Sequence, residues 1–431
     1  MNNRVSITAL LATAMAFAGY AQAQPSQPLP PPPPNEPVLK ANPMVAYLQE
    51  RHKISRAEAQ ERVDIQGEIA ALLENPAFFD DPDFAGVVVQ DEPVYRIYLT
   101  YYDNSAKSEL LRLVPPKMRR YVQIKQRKLN KGQVERGIAA IETSLAGENI
   151  VSVVSYQEGT EQFIVQAPGS SESAVMAASP QQYRRDIVFE DFAFPEPEQS
   201  YTTGSTSSGY YANAGYNIGC TMAFPITYTY GGVSNRQGAL TAGHCFDPDD
   251  PDRILSHPDG TQTVFKDAVF RRAQNDLDFA IIDTTGMTTN YWIYFWNKQG
   301  VGGFPNSSWL RTKNFIRKSA SWIGMNVCKQ GQKTGLTCGK VVDLDYPYSV
   351  FGGGNFVKVS NTLQSDLSDN GDSGGPWFTS VSSRYEDEVS ALGLHVTGAG
   401  TGSSQWALYM PIDKTFSVPN GPTNVRLFTT P

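Results

Sequence analysis

The sequence predicts a C-terminal all-β domain preceded by a smaller α+β one, and three observations predict it. From about residue 213 onward, short β-rich runs are separated by Gly, Asn and Asp turns, with no strong helical period. Between about 44 and 170, helical and strand patterns alternate. From about 170 to 212 the composition shifts to Ser, Ala, Gln, Pro, Gly and Tyr, as in a connecting segment open to proteolysis.

The first residues read as an export signal. Arg4 precedes an apolar run from Ile7 to Ala18, then Ala21, Gln22 and Ala23, a small-x-small cleavage site. Cleavage is expected after Ala23, and that run is too short to span a bilayer comfortably. Residues 24–43 begin with QPSQPLPPPPPNEP, a polyproline linker that cannot pack a core. Ser55 and Glu58 form an S-x-x-E capping box, and Ile65, Ile69, Leu72 and Leu73 fall on one face of the helix behind it. FAGVVVQ and VYRIYLTYY read as strands. Val134, Ile138, Ile141 and Leu145 mark a second amphipathic helix, and IVSVVSY and QFIVQA return as strands. His52 is expected to be a solvated surface residue, and no internal repeat is evident. In the β domain, TMAFPITYTY, GALTAG, DFAIID, KVVDLDY and NFVKVS are the clearest strands.

A formal charge of −7 gives no nucleic-acid or membrane footprint, and no later segment is long and apolar enough to span a bilayer. The four cysteines, Cys220, Cys245, Cys328 and Cys338, allow three pairings. Proximity favours Cys220–Cys245 and Cys328–Cys338 in an exported protein, each contributing on the order of 2–4 kcal/mol. No C-x₂-C pair supports zinc, so no metal or cofactor is expected.

The chemistry concentrates around GDSGGPW, Gly371 to Trp377. Glycines around one serine let the backbone expose its Oγ while N–H groups point at whatever the oxygen attacks. A nucleophile needs a fixed base, and His244 in LTAGHC stands at a strand end beside Cys245, which can pin the turn covalently. An aspartate must then hold the histidine's tautomer. Of Asp276, Asp278 and Asp283, Asp278 directly precedes the apolar run FAII, at the entry of a buried strand.

TAGHC with GDSGGPW resembles the signature pair of the chymotrypsin-fold serine proteases. MNVCKQGQKTGLTCGKV and ALGLHVTGAG are similar to the bacterial secreted branch of streptogrisins and α-lytic protease. The resemblance covers roughly residues 205–431. It implies two six-stranded antiparallel β-barrels, with His244 as general base, Asp278 as its orienter and Ser373 as nucleophile, and with the N–H groups of Gly371 and Ser373 as oxyanion hole. It further implies that the α+β block is a proregion that assists folding and then inhibits. The partners are then protein or peptide substrates and the chain's own proregion, with a monomeric, secreted product. Family members often carry serine where this chain has Val396, to support the triad aspartate. They usually carry arginine where it has Lys329, paired with the aspartate that is Asp372 here.

GLHVTG resembles the G-x-H of glutamyl endopeptidases and of viral cysteine proteases on the same fold, so His395 is expected to read Glu, then Gln, before the scissile bond, with Asn370 and Gly398 beside it. Leu367, six residues before Ser373, argues against Lys/Arg specificity. A broad apolar preference is the runner-up. Glu198 and Gln199 in the hinge suit self-cleavage. Gly371, Ser373 and Gly375 also satisfy G-x-S-x-G, but the candidate base His244 precedes the serine, which is the wrong order for an α/β-hydrolase esterase. A dead binding homologue normally lacks a triad member, and none is lost here. The acidic loop 247–252 could hold calcium, with a solvated turn the simpler reading. His257 reads as an exposed turn residue.

Overall fold

A computed structural model describes residues 42–429, except 103–110, 192–215, 218–219, 246–252, 257–261, 266–267, 275, 286–290, 299–306, 349–354, 363–365, 381–386 and 401. The signal and most of the polyproline linker, the Glu198–Gln199 pair, the acidic loop and His257 therefore lie outside the described residues.

The N-terminal region is α+β. Ser55 accepts the Glu58 N–H and caps the helix Arg56–Leu73, whose Ile65, Ile69, Leu72 and Leu73 are buried. The strands Phe84–Gln90 and Gln162–Ala167 coincide with FAGVVVQ and QFIVQA. A full capping box between Asn130 and Gln133 starts the helix Lys131–Gly147, which buries Ile141 and Leu145.

The connecting segment and the absence of a repeat both differ from expectation, as does His52. Residues 172–191, placed in the connecting segment, instead form the helix Glu172–Ala178 and the strand Ile187–Asp191. That strand completes a repeated plan. Phe84–Gln90 and Arg96–Tyr101 pair antiparallel, and Val122–Gln126 adds parallel to the second. Val153–Gln157 and Gln162–Ala167 do the same, with Ile187–Asp191 parallel at their edge. A long helix precedes each sheet.

The C-terminal region is all β. Its first lobe holds a five-stranded sheet and a four-stranded sheet. The five-stranded one carries Val233–Thr241 between Leu277–Asp283 and Pro225–Tyr230. In the second lobe, Asn326–Gly331, Gly335–Pro347, Asn355–Asn361, Trp406–Pro411, Glu388–Ala399 and Pro376–Thr379 pair in a ring, closing a six-stranded barrel. Each strand of the ring is paired on both sides, and the sheet runs on from Glu388–Ala399 through Ser307–Phe315, parallel to it, to Trp292–Trp296 at its edge. Disulfides join Cys220 to Cys245 and Cys328 to Cys338.

The N-terminal region packs directly on this β structure. Met44, Tyr47, Leu48 and Val63 share one apolar cluster with Phe224, Ile226, Cys328 and Leu394. Ile65, Ile69, Val87 and Leu99 share another with Trp322, Val341 and Trp377. Polar contacts cross as well: the Asn326 N–H donates to Gln66 Oε1 at 2.8 Å, Lys340 Nζ to Asp91 Oδ2 at 2.6 Å, and Tyr346 OH to Gln166 Oε1 at 2.7 Å. His52 belongs to this contact and is not solvated. Its side chain is 3% exposed, with Nδ1 at 3.4 Å from Glu92 and Nε2 at 3.9 Å from Asp91. Burial holds its imidazole below the ordinary histidine range, although Asp91 pulls the other way.

Candidate active site

The predicted triad residues come from three separate elements and meet between the two lobes. Strand Val233–Thr241 ends in the tight turn Gly243–Cys245, which carries His244, and Arg271 Nε donates to the Gly243 carbonyl at 2.8 Å to hold that turn. Asp278 stands at the start of the neighbouring strand Leu277–Asp283 and is fully buried. Ser373 lies in the turn that feeds Pro376–Thr379 of the barrel.

Asp278 accepts twice from one residue: His244 N–H reaches Oδ1 at 2.9 Å and His244 Nδ1 reaches Oδ2 at 2.7 Å. A carboxylate only accepts, so Nδ1 carries the proton and Nε2 is left to accept. Nε2 lies 2.9 Å from Ser373 Oγ. The hydroxyl's proton thus has an acceptor, and the imidazole has a fixed orientation. No hydroxyl backs Asp278 from position 396. Instead the Asp278 N–H donates to Met410 Sδ at 3.1 Å, and the Val396 carbonyl lies 3.4 Å from Ser373 Oγ.

One short strand couples the two halves. The Thr221 N–H donates to the Ser373 carbonyl at 2.7 Å, and Thr221 Oγ1 donates to the Gly371 carbonyl at 2.8 Å. The adjacent Cys220 is joined to Cys245, next to His244. The turn holding the serine and the turn holding the imidazole are therefore linked through two hydrogen bonds and one disulfide. Glycine is required in the first of these turns. Gly371 sits at φ +106° and Gly374 at φ +82°, and a Cβ on Gly374 would stand 2.4 Å from the Thr221 carbonyl oxygen.

Asp372, between Gly371 and the serine, is buried with Lys329. Lys329 Nζ donates to Asp372 Oδ2 at 2.5 Å, and both side chains are fully excluded from solvent. Thr334 Oγ1 donates to the same oxygen at 2.6 Å, and the Lys333 N–H donates to Oδ1 at 2.8 Å. Burial would raise this carboxyl, but the Lys329 ammonium, His395 and the hydrogen bonds outweigh it and hold Asp372 below the usual carboxylate range.

His395 is bound to the same turn through its backbone: its N–H donates to the Gly375 carbonyl, and its own carbonyl accepts from the Gly374 N–H, both at 2.8 Å. Its ring is fully buried. Nε2 lies 2.8 Å from Ser368 Oγ, and Nδ1 accepts from Trp377 Nε1 at 3.2 Å. Gly398 adjoins this group, since a Cβ there would stand 2.8 Å from Ser368 Oγ. Asn370 is exposed, its N–H bonded to Asp369 Oδ1 at 2.7 Å. Leu367 is buried in the core. Ser368 and Trp377 were not singled out by sequence reasoning. Ser368 looks like any turn serine in SDLSDNG, whereas Trp377 was visible as the residue closing GDSGGPW.

No protein-family model matches the chain, and no curated protein does. Among solved structures, Nocardiopsis protease is similar at 23% identity and a TM-score of 0.35, over 52% of this chain and all of that one. Cellulomonas bogoriensis chymotrypsin is similar at 18% identity and a TM-score of 0.34, over 52% of this chain and all of that one. A serine protease described as glutamic-acid-specific, using a histidine triad in substrate binding, is similar at 23% identity and a TM-score of 0.34, over 47% of this chain and 93% of that one. With a closed six-stranded barrel, a second β lobe and the buried His–Asp–Ser group where they meet, the C-terminal region has a chymotrypsin-like fold.

Proposed function

We propose that this protein is a secreted serine endopeptidase made as a zymogen, with the N-terminal α+β region as its proregion. The observation that carries the reading is the continuous hydrogen-bonded line from Asp278 through His244 to Ser373. Ser373 Oγ attacks the scissile carbonyl as His244 Nε2 takes its proton. The imidazolium formed is stabilised by Asp278, and the same proton passes to the leaving amine. The N–H groups of Gly371 and Ser373 receive the oxyanion, each contributing about 3 kcal/mol to the barrier reduction. Water then repeats the sequence on the acyl-enzyme.

For the residue before the scissile bond we propose Glu, with Gln second, read through His395 and its neighbour Ser368. Leu367 supplies no acid for Lys or Arg. A second reading, a broad apolar preference, is favoured by the complete burial of the His395 ring and the engagement of both its nitrogens. A fluorophosphonate probe followed by a mixed peptide library, read by mass spectrometry, tests both levels. An adduct on Ser373 and cleavage after Glu or Gln are expected. No adduct would overturn the protease, and cleavage mainly after Phe, Tyr or Leu would overturn the specificity.

A further inference from the structure

A hydroxyl carries one proton and so donates once. Thr221 Oγ1 lies 3.0 Å from the Gln332 main-chain nitrogen, whose N–H can only donate, and 2.8 Å from the Gly371 carbonyl oxygen, which can only accept. The oxygen therefore accepts from Gln332 and commits its proton to Gly371. At 1% exposure the residue has almost no water to turn to instead. Its main chain is as fully used: the N–H donates to the Ser373 carbonyl at 2.7 Å, and the carbonyl accepts from Thr241 Oγ1 at 2.8 Å. Thr241 ends the strand that leads to His244. Gly371 and Ser373, whose N–H groups are assigned to the oxyanion, are thus both held at their carbonyls by one threonine. The carbonyls of Asp372, Ser373 and Gly375 accept from the main-chain N–H groups of Gly375, Thr221 and His395, bonds that a change of side chain leaves in place. Gly371 is different, because it sits at φ +106° with no Cβ to limit its rotation and its carbonyl is held by a side chain. Rotation at Gly371 would swing its N–H away from the Ser373 N–H, and an oxyanion hole works only when its donors are aimed in advance.

We propose that Thr221 is a positioning residue for the oxyanion hole, its hydroxyl holding Gly371 so that the Gly371 and Ser373 N–H groups converge before substrate arrives. The proposal rests on the proposed reading that Ser373 is the nucleophile of a peptidase. The hydroxyl acts on the donors, whereas the imidazole is oriented by Asp278, so the reaction rate and the titration of the base separate. Thr221→Val keeps the shape of the side chain and removes both hydroxyl bonds, leaving the buried Gly371 carbonyl without this donor. Thr221→Ser keeps both bonds and removes only a methyl group.

The probe is a small fluorophosphonate, whose phosphonyl oxygen takes the place of the oxyanion. Its second-order rate of adduct formation on Ser373 is measured for the full chain as expressed, from about pH 5.5 to 8.5, a range that brackets the titration of a histidine base. In Thr221→Val the rate should fall by about 10- to 100-fold, short of the roughly 10²–10³ that complete loss of one donor brings. Thr221→Ser should recover it to within about threefold of the parent, with the pH midpoint in both variants within about 0.3 units of the parent's. Equal rates in the parent and Thr221→Val overturn the inference while leaving the protease reading intact. A midpoint displaced by about a unit, or Thr221→Ser as slow as Thr221→Val, assigns the loss to a shifted triad or to packing and overturns it as well. A parent that takes no label overturns the protease reading and the inference with it. The direction of the hydroxyl is read without any Thr221 variant: in the full chain carrying Ser373→Ala, its proton should give a slowly exchanging NMR signal with a cross-peak to the Gln332 N–H. A Thr221 hydroxyl proton that exchanges with water too fast to be seen is not committed to Gly371, and that result also overturns the inference.

Discussion

Lys329→Met removes the only side-chain cation bonded to Asp372 among the described residues and keeps the volume of the stem. The carboxylate then stays at zero exposure with its N–H and hydroxyl donors but no counter-charge, and Thr334 Oγ1 loses the 2.8 Å bond it accepts from Lys329. Removing one partner of a buried pair costs about 3–5 kcal/mol. The donors remaining on Asp372, from Lys333, Thr334 and Asp369, place the expected loss near the lower end, about 3 kcal/mol. The pH dependence has a definite sign. In the unmodified chain Asp372 is held below its unfolded value, so its contribution is present above that value and is lost only in stronger acid. Without the ammonium, burial dominates and raises the carboxyl, so the variant takes up a proton on folding and recovers as pH falls. Urea denaturation of the full chain carrying Ser373→Ala, with and without Lys329→Met, should show the largest deficit near pH 7 and a clearly smaller one near pH 4.5. A loss under about 1 kcal/mol at pH 7, or a deficit independent of pH, would refute the reasoning.

Ser373→Ala should abolish peptide hydrolysis and His244→Ala nearly so, with the double variant little worse than either in single-turnover assays, because the group acts as a unit. Asp278→Asn should lower kcat by about 10⁴ with little change in KM, since an amide can donate to Nδ1 and leave the proton on the wrong nitrogen. Asp343, buried on the strand Gly335–Pro347, has a carboxyl pushed up to about 7 by burial. Its folded form therefore binds a proton that the unfolded chain releases, and stability is lost as pH rises from about 4 through 7. Asp343→Asn keeps an acceptor for the Asp345 N–H and should stabilise the protein above pH 7 by up to about 4 kcal/mol, with no gain below about pH 4, by thermal or urea melts. Gly374→Ala should eliminate fluorophosphonate labelling of Ser373, because both its φ and the Thr221 carbonyl oppose a side chain.

The candidate site was legible because its parts sit in short local signals. His244 ends a strand beside a cysteine, Asp278 opens an apolar strand, and Ser373 is framed by glycines whose dihedrals the structure confirms are special. Helix starts were legible for the same reason, as the Ser55 cap shows. What escaped is non-local. His52 sits beside a helix end and looks solvent-facing until Asp91, from another element, closes over it. The strand Ile187–Asp191 is short, and it is defined by parallel pairing to Gln162–Ala167 rather than by any pattern of its own. The twofold plan of the N-terminal region has the same cause: pairing order repeats, but no residue motif does. Ser368 acquires meaning only from the imidazole placed against it by a different strand.

The N-terminal helices and the β lobes fill common apolar clusters, and hydrogen bonds such as Asn326 to Gln66 join them across the boundary. A peptide bond broken anywhere in 192–215 removes none of these contacts. Cutting the chain and parting its pieces are consequently two events with two rate constants. The first is chemical and leaves a nicked particle of unchanged mass in native solution. The second is a dissociation that must expose Tyr47, Leu48 and Val63 to water, and it is governed by concentration, temperature and destruction of the detached piece. A denaturing gel scores the first event only, so the fraction cut overstates the fraction released until a native separation is run beside it.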